Sequence, residues 1–282
     1  MERRLSIKKV LALSAFFILT ASCANIFSES ADKNTDPVRL FEARKKIDAG
    51  DWTGAINQIT GMTTAYQQQR HVRTLLASAY AGRCGLDVLT IIKNLQTGGT
   101  SFLQILMRAF VGATASKVAD CRLAEDTINA ISDNAGLRLT DENLLMTFLS
   151  FGKVGAILAA SADTDADGNV DAGYNPCTAL SNTEAAEIVT GLANAVISIG
   201  VAGSDIGGEQ VEDLTEVCDA AADQGVAICE LTDTSEVDTA QERQLIRGLV
   251  HEGQDGIGLG TCSTTPDDTI TCADLLGAGC GS

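Results

Sequence analysis

The sequence predicts an all-α fold, either a helical bundle or a short helical-repeat array of antiparallel hairpins with a disulfide-stapled C-terminal tail. Three observations carry this expectation. Proline is scarce, 3 in 282 residues, and aromatics make up only 4%, while Ala and Leu, both strong helix formers, are abundant. Apolar residues recur at helical spacing along most of the chain. The breaks between these runs are short and rich in Gly, Asn and Asp, as turns between helices are.

The first stretch stands outside that pattern. Residues 1–22 read as a signal peptide: Arg3, Arg4, Lys8 and Lys9 make a positive end, and residues 10–19 make an apolar run too short to span a bilayer stably. Leu19, Thr20, Ala21, Ser22 and Cys23 resemble the bacterial lipobox. That resemblance implies that Cys23 is lipidated on sulfur, becomes the mature N-terminus and anchors the protein to a lipid bilayer. Ala24 stands where Asp favours inner-membrane retention in enteric bacteria, which implies the outer membrane of the cell envelope. The rest of 23–36 is polar and reads as a flexible tether.

A helical domain is expected over residues 37–200. Leu40, Phe41 and Ile47 mark the inner face of a first helix and Ala55, Ile56 and Ile59 that of a second, with the break at Ala49, Gly50 and Asp51. Residues 72–81 and 86–95 predict the next pair, broken by residues 82–85. The two breaks lie about 34 residues apart, a length at which helical hairpins repeat. Gly50, Asp51, Trp52 and Ala55 resemble the start of the second helix of a tetratricopeptide repeat, and Leu76, Ala77 and Tyr80 resemble its first helix. The resemblance implies a groove between hairpins that binds a protein or peptide. A plain bundle with small residues at close crossings accounts for the same residues.

After a turn at Gly98 and Gly99, residues 102–111 predict an apolar helix interrupted by Arg108 and too short to span. Residues 115–132 predict another, burying Val118, Cys121, Leu123, Ala124, Ile128 and Ile131 and ending in turn residues at 133–136. Thr140 or Asp141 is the expected cap of the next helix. That helix is strongly apolar from 144 to 160, but Lys153 and two glycines within it suit a packed core better than a membrane. Ser181 and Glu184 form a second capping sequence, opening a helix through Ile188, Val189, Leu192, Val196 and Ile197. These two helices are the expected centre of the core. Residues 201–282 form a Cys-rich region packed on it, with a break at 200–208, helices at 211–222 and 239–250, and a tail from His251 rich in Gly, Thr and Asp.

The segment between the two central helices carries the chemistry. Asp163, Asp165 and Asp167 alternate, Gly168 follows where the chain must turn, Asn169 offers a backbone carbonyl, and Asp171 ligates directly or through water. Four carboxylates in nine residues repel one another, and no Lys or Arg lies within the loop to offset them. A hard divalent cation, which takes six to eight oxygens, removes that conflict. The spacing resembles the EF-hand loop and the acidic loops of thrombospondin type 3 and dockerin modules, and implies a structural calcium. Tyr174 stands where the EF-hand places its bidentate Glu, so the expected affinity is weak, about 0.1–1 mM.

Beyond Cys23, eight cysteines remain: Cys84, Cys121, Cys177, Cys218, Cys229, Cys262, Cys272 and Cys280. An even set in an exported chain reads as disulfides. Local closures are expected for Cys218 with Cys229 and for two of the last three.

Charge excludes one class of partner. Residues 1–22 carry four basic and one acidic side chain, so their removal takes the formal charge from −17 to −20, and such a surface does not hold nucleic acid. No catalytic residues emerge. His251 and Glu252 lack the second His of a zinc-protease helix, His71 stands alone, residues 256–260 lack dinucleotide-loop spacing, and no nucleophile elbow is present. The expected role is a non-enzymatic envelope scaffold for a protein or peptide partner. The alternatives are a periplasmic solute-binding or transport-accessory lipoprotein, and a purely structural one.

Overall fold

Pro37 supplies a fixed φ at the first turn and starts α1 (Asp36–Asp48). The computed structural model of the chain describes residues 34–97, 101–203, 215, 218, 222, 227–251 and 258–259. The predicted signal peptide, Cys23, the Gly98–Gly99 turn, most of helix 211–222 and nearly all of the tail lie outside these residues. No strand occurs among the described residues.

Gly50, at φ 72°, turns the chain from α1 into α2 (Trp52–Thr60). Asp51 caps α2 by accepting the Gly54 N–H at 2.9 Å. The Asp36 carboxylate then accepts from the Thr63 N–H at 2.8 Å and its hydroxyl at 2.6 Å, tying the hairpin's two ends together. Leu40, Ala43, Ile59, Met62 and Val72 fill its interior. A single turn, α3 (Thr64–Gln67), which the periodicity did not predict, leads into α4 (Arg70–Cys84).

The second hairpin departs from expectation. Gly82 is not a break but lies inside α4, where a Cβ would fall on the Trp52 indole; the turn residue is Gly85, at φ 101°. The next helix, α5 (Val88–Thr97), leaves α4 at a bend of 64° and packs on α6 (Phe102–Arg108). The partner of α4 is instead α7 (Ala115–Asn129). Two side-chain links explain the exchange. Cys84 and Cys121 form a disulfide with Cα atoms 5.2 Å apart, and Arg83 grips the Asp120 carboxylate with bonds of 2.8 and 2.6 Å.

Beyond a 3-10 turn (Ala135–Leu137), α8 (Thr140–Ala162) and α10 (Asn182–Ala202) make the most extensive helix pair among the described residues. The short α9 (Pro176–Ala179) lies between them in sequence, and α11 (Ala240–His251) packs on α9 and α10. Arg247 of α11 donates to the Leu180 carbonyl at 2.8 Å and to Asn182 Oδ1 at 2.9 Å, holding the start of α10. The α10 cap is as expected: the Ser181 hydroxyl accepts the Glu184 N–H at 3.2 Å, and Glu184 accepts the Ser181 N–H at 2.9 Å. The α8 cap is not at Thr140 or Asp141. Leu139 occupies the cap position, and Glu142 accepts its N–H at 2.8 Å while pairing with Arg70 at 2.5 Å.

Two residues assigned to buried faces are exposed: Phe41 at 65% and Leu123 at 42%. The inward stripe of α7 is narrower than predicted because it also carries Asp120 and Glu125, both buried. By length and composition, α8 with 23 residues and α10 with 21 could each cross a membrane. In this structure 78% and 72% of their most apolar windows are buried against the chain itself. Lys153, near the middle of α8, takes its counter-ion from α7, which also suits core packing.

Glycines let α8 approach its neighbours. A Cβ on Gly155 would sit 2.6 Å from the Leu106 carbonyl oxygen of α6, a backbone atom that cannot swing away. Gly155→Ala is therefore expected to cost about 1–2 kcal/mol, overpacking outweighing the better helix propensity of Ala. Gly200→Ala, in α10 with nothing within 4 Å of its would-be Cβ, is expected to stabilise by about 0.5–1 kcal/mol. Thermal unfolding of the two variants should shift in opposite directions.

Candidate metal centre

The acidic loop begins where α8 ends. Asp163, only 3% exposed, turns its carboxylate inward to accept N–H groups from Asp167 at 2.9 Å and Gly168 at 3.2 Å. Asp165 Oδ1 also accepts from the Asp167 N–H, at 3.3 Å, and Asp167 Oδ1 accepts from Asn169 at 2.7 Å. Asp171 closes the loop: its carboxylate accepts the Thr164 N–H at 3.0 Å and the Thr164 hydroxyl, and its own N–H donates to the Ala162 carbonyl at 2.7 Å. Two residues take left-handed backbone, the expected Gly168 at φ 83° and, unforeseen, Ala166 at φ 60°.

This folding brings together one carboxylate oxygen each from Asp163, Asp165 and Asp171, all within 4.8 Å of one another. Oxygens around one calcium ion, each about 2.3–2.6 Å from it, lie at most about 5 Å apart, so the donor set fits that ion. Asp167 is not part of this group, its carboxylate serving the loop's own turn; Asn169, expected to offer its backbone carbonyl, turns its side-chain oxygen to Arg108.

The electrostatics are divided. Burial pushes the Asp163 carboxyl up, the Gly168 and Asp167 N–H groups pull it down, and the charges of Asp167 and Asp165 push it up again. The Thr164 hydroxyl and N–H hold Asp171 below the usual carboxylate range. A cation from outside the loop also reaches it. Arg108 of α6 donates to the Gly168 carbonyl at 3.1 Å and to Asn169 Oδ1 at 3.5 Å. Sequence reading saw Arg108 only as an interruption of an apolar run, because the loop lies sixty residues away and no local signal joins them.

The loop is fixed to the core on its far side. Val170 packs against the main hydrophobic cluster, and Tyr174 packs there too. The Tyr174 hydroxyl lies 3.3 Å from that of Ser161, and burial pushes the phenol up to about 12. The twelfth position is thus an anchor into the core rather than a ligand. The next helix starts late, after Asn175 accepts the Cys177 N–H at 2.9 Å.

Among the cysteines, Cys218 and Cys229 are paired as expected, with Cα atoms 5.5 Å apart, and Cys84 pairs with Cys121. Cys177 is also in a disulfide, its partner outside the described residues. Cys262, Cys272 and Cys280 lie outside them as well. His71 stacks edge-on against Tyr66.

A second polar cluster was missed by sequence reading. Lys153 of α8, 3% exposed, forms an ion pair with Glu125 of α7 and donates to the Thr190 hydroxyl of α10 at 3.0 Å. Glu125 also accepts from the Ser150 hydroxyl at 2.9 Å and the Asn194 amide at 3.0 Å. Next to it Arg122 pairs with Glu187 at 2.6 Å; burial raises the Glu187 carboxyl, and Arg122 opposes the rise. Scans against family models, curated proteins and solved structures find no match to this chain.

Proposed function

We propose that this protein is a lipid-anchored helical scaffold of the bacterial cell envelope, a non-enzymatic binder of a protein or peptide partner, stabilised by a structural calcium ion in the 163–171 loop. The observation that carries the metal is the meeting of Asp163, Asp165 and Asp171 oxygens within 4.8 Å. Backbone carbonyls and water complete the shell, and the missing carboxylate at Tyr174 keeps the affinity in the extracellular range. The anchor rests on Cys23 and the residues before it. The partner role rests on the tetratricopeptide-like stretch and its α1–α2 hairpin.

Calcium titration of the fragment that starts at residue 24 tests the metal. A ligand that binds only the folded state adds RT ln(1 + [L]/Kd), about 1.4–2.7 kcal/mol at 10 mM calcium for a Kd of about 0.1–1 mM. The melting temperature should rise by several degrees, and the rise should disappear in Asp163→Ala. No shift at millimolar calcium would leave the loop a solvated acidic turn. Loss of fatty-acid labelling in Cys23→Ala tests the anchor separately.

A further inference from the structure

We propose that the buried polar layer formed by Glu125, Lys153, Thr190 and Asn194 is a register lock, which fixes the axial alignment of α7, α8 and α10. Buried residues of α8 include the small Gly152, Gly155, Ala156 and Ala159 beside Phe151, Ile157 and Leu158, and those of α10 include Ala185, Gly191, Ala193 and Ala195 beside Ile188 and Leu192. Apolar burial is non-directional, and where small residues meet, it resists a slide by one turn less than where large ones interlock.

The polar layer does resist it, because each helix is tied to both others. Lys153 and Glu125 join α8 to α7. Lys153 joins α8 to α10 through Thr190 at 3.0 Å, and Glu125 joins α7 to α10 through Asn194 at 3.0 Å. Lys153 and Glu125 are both buried, with side chains 4% exposed, so any slide that separates them leaves two uncompensated charges in the core. Apolar packing competes with it. At Gly191 a Cβ would lie 2.6 Å from Val154 Cγ2, so that close approach also favours the observed alignment.

The double variant Glu125→Leu with Lys153→Met, in the fragment starting at residue 24, separates the two devices. It removes the charges at roughly constant volume, while Thr190 can still donate to the Glu187 carbonyl at 3.2 Å and Asn194 to the Thr232 carbonyl at 3.3 Å. The expected result is a protein that stays helical with a melting temperature within a few degrees of the parent. It should show more than one set of methyl resonances for Ile157, Ile188 and Val189. A single set matching the parent's would overturn the proposal and assign register to apolar packing, the Gly191 approach included. Failure of the double variant to fold would overturn it too, since the pair would then supply stability rather than alignment.

Discussion

Replacing Lys153 alone with Met is expected to lower stability by about 3–5 kcal/mol, the usual cost of leaving a buried charge without its partner. Glu125 would keep the Ser150 and Asn194 donors but lose its counter-ion in a site that water does not reach. Thr190 loses the charged Lys153 donor but keeps its own donation to the Glu187 carbonyl at 3.2 Å, so its hydroxyl is not left without a partner. Most of the loss therefore comes from desolvated charge, and it should return when Glu125 is replaced by Leu in the same chain. Urea unfolding of the parent, the two single variants and the double variant closes the cycle. A loss below about 1 kcal/mol for Lys153→Met would show that water enters the site or that α7 and α8 part to admit it.

How much of this was legible in the sequence follows from how far apart the interacting residues lie. The capping box at Ser181 and Glu184, the Asp163 to Asp171 spacing and the Cys218–Cys229 pair are all local, and each is readable from neighbours within a dozen residues. Lys153 and the glycines of α8 correctly argued for a packed core, but not which charge Lys153 would meet. Glu125 was not among the residues that periodicity assigned to the buried face of α7, yet it is buried while Leu123, which was among them, is exposed. Arg108 reaches the loop, and Arg70 reaches Glu142, across sequence gaps that leave no periodic trace. Leu139 takes the cap position without a side-chain acceptor of its own, and Glu142 reaches back to accept its N–H. The second hairpin misled for a similar reason. Residues 72–81 and 86–95 have the pattern of a hairpin, but an apolar stripe does not name its partner, and covalent and ionic links gave α4 to α7.

Those links can be weighed. Removing the Cys84–Cys121 disulfide by Cys84→Ala with Cys121→Ala is expected to cost about 4 kcal/mol in the chain-entropy account, because the bridge closes a loop of 37 residues. Removing Cys218–Cys229, which spans 11 residues, is expected to cost about 3 kcal/mol. The larger cost falls where the bridge is also part of the core, since Cys84 and Cys121 are 1% and 2% exposed and pack within the main cluster. Paired denaturant curves for the two double variants test the order of these costs. Amide exchange shows what the bridge does to the architecture. Ala77, Ala81, Ala124, Ile128, Met146 and Leu149 still hold α4, α7 and α8 together, and Arg83 still grips Asp120. Exchange in α4 should therefore quicken without becoming independent of α7. If α4 instead exchanged freely while α7 stayed protected, side-chain packing between them would be insufficient and the bridge alone would be what keeps α4 from closing a hairpin with α5.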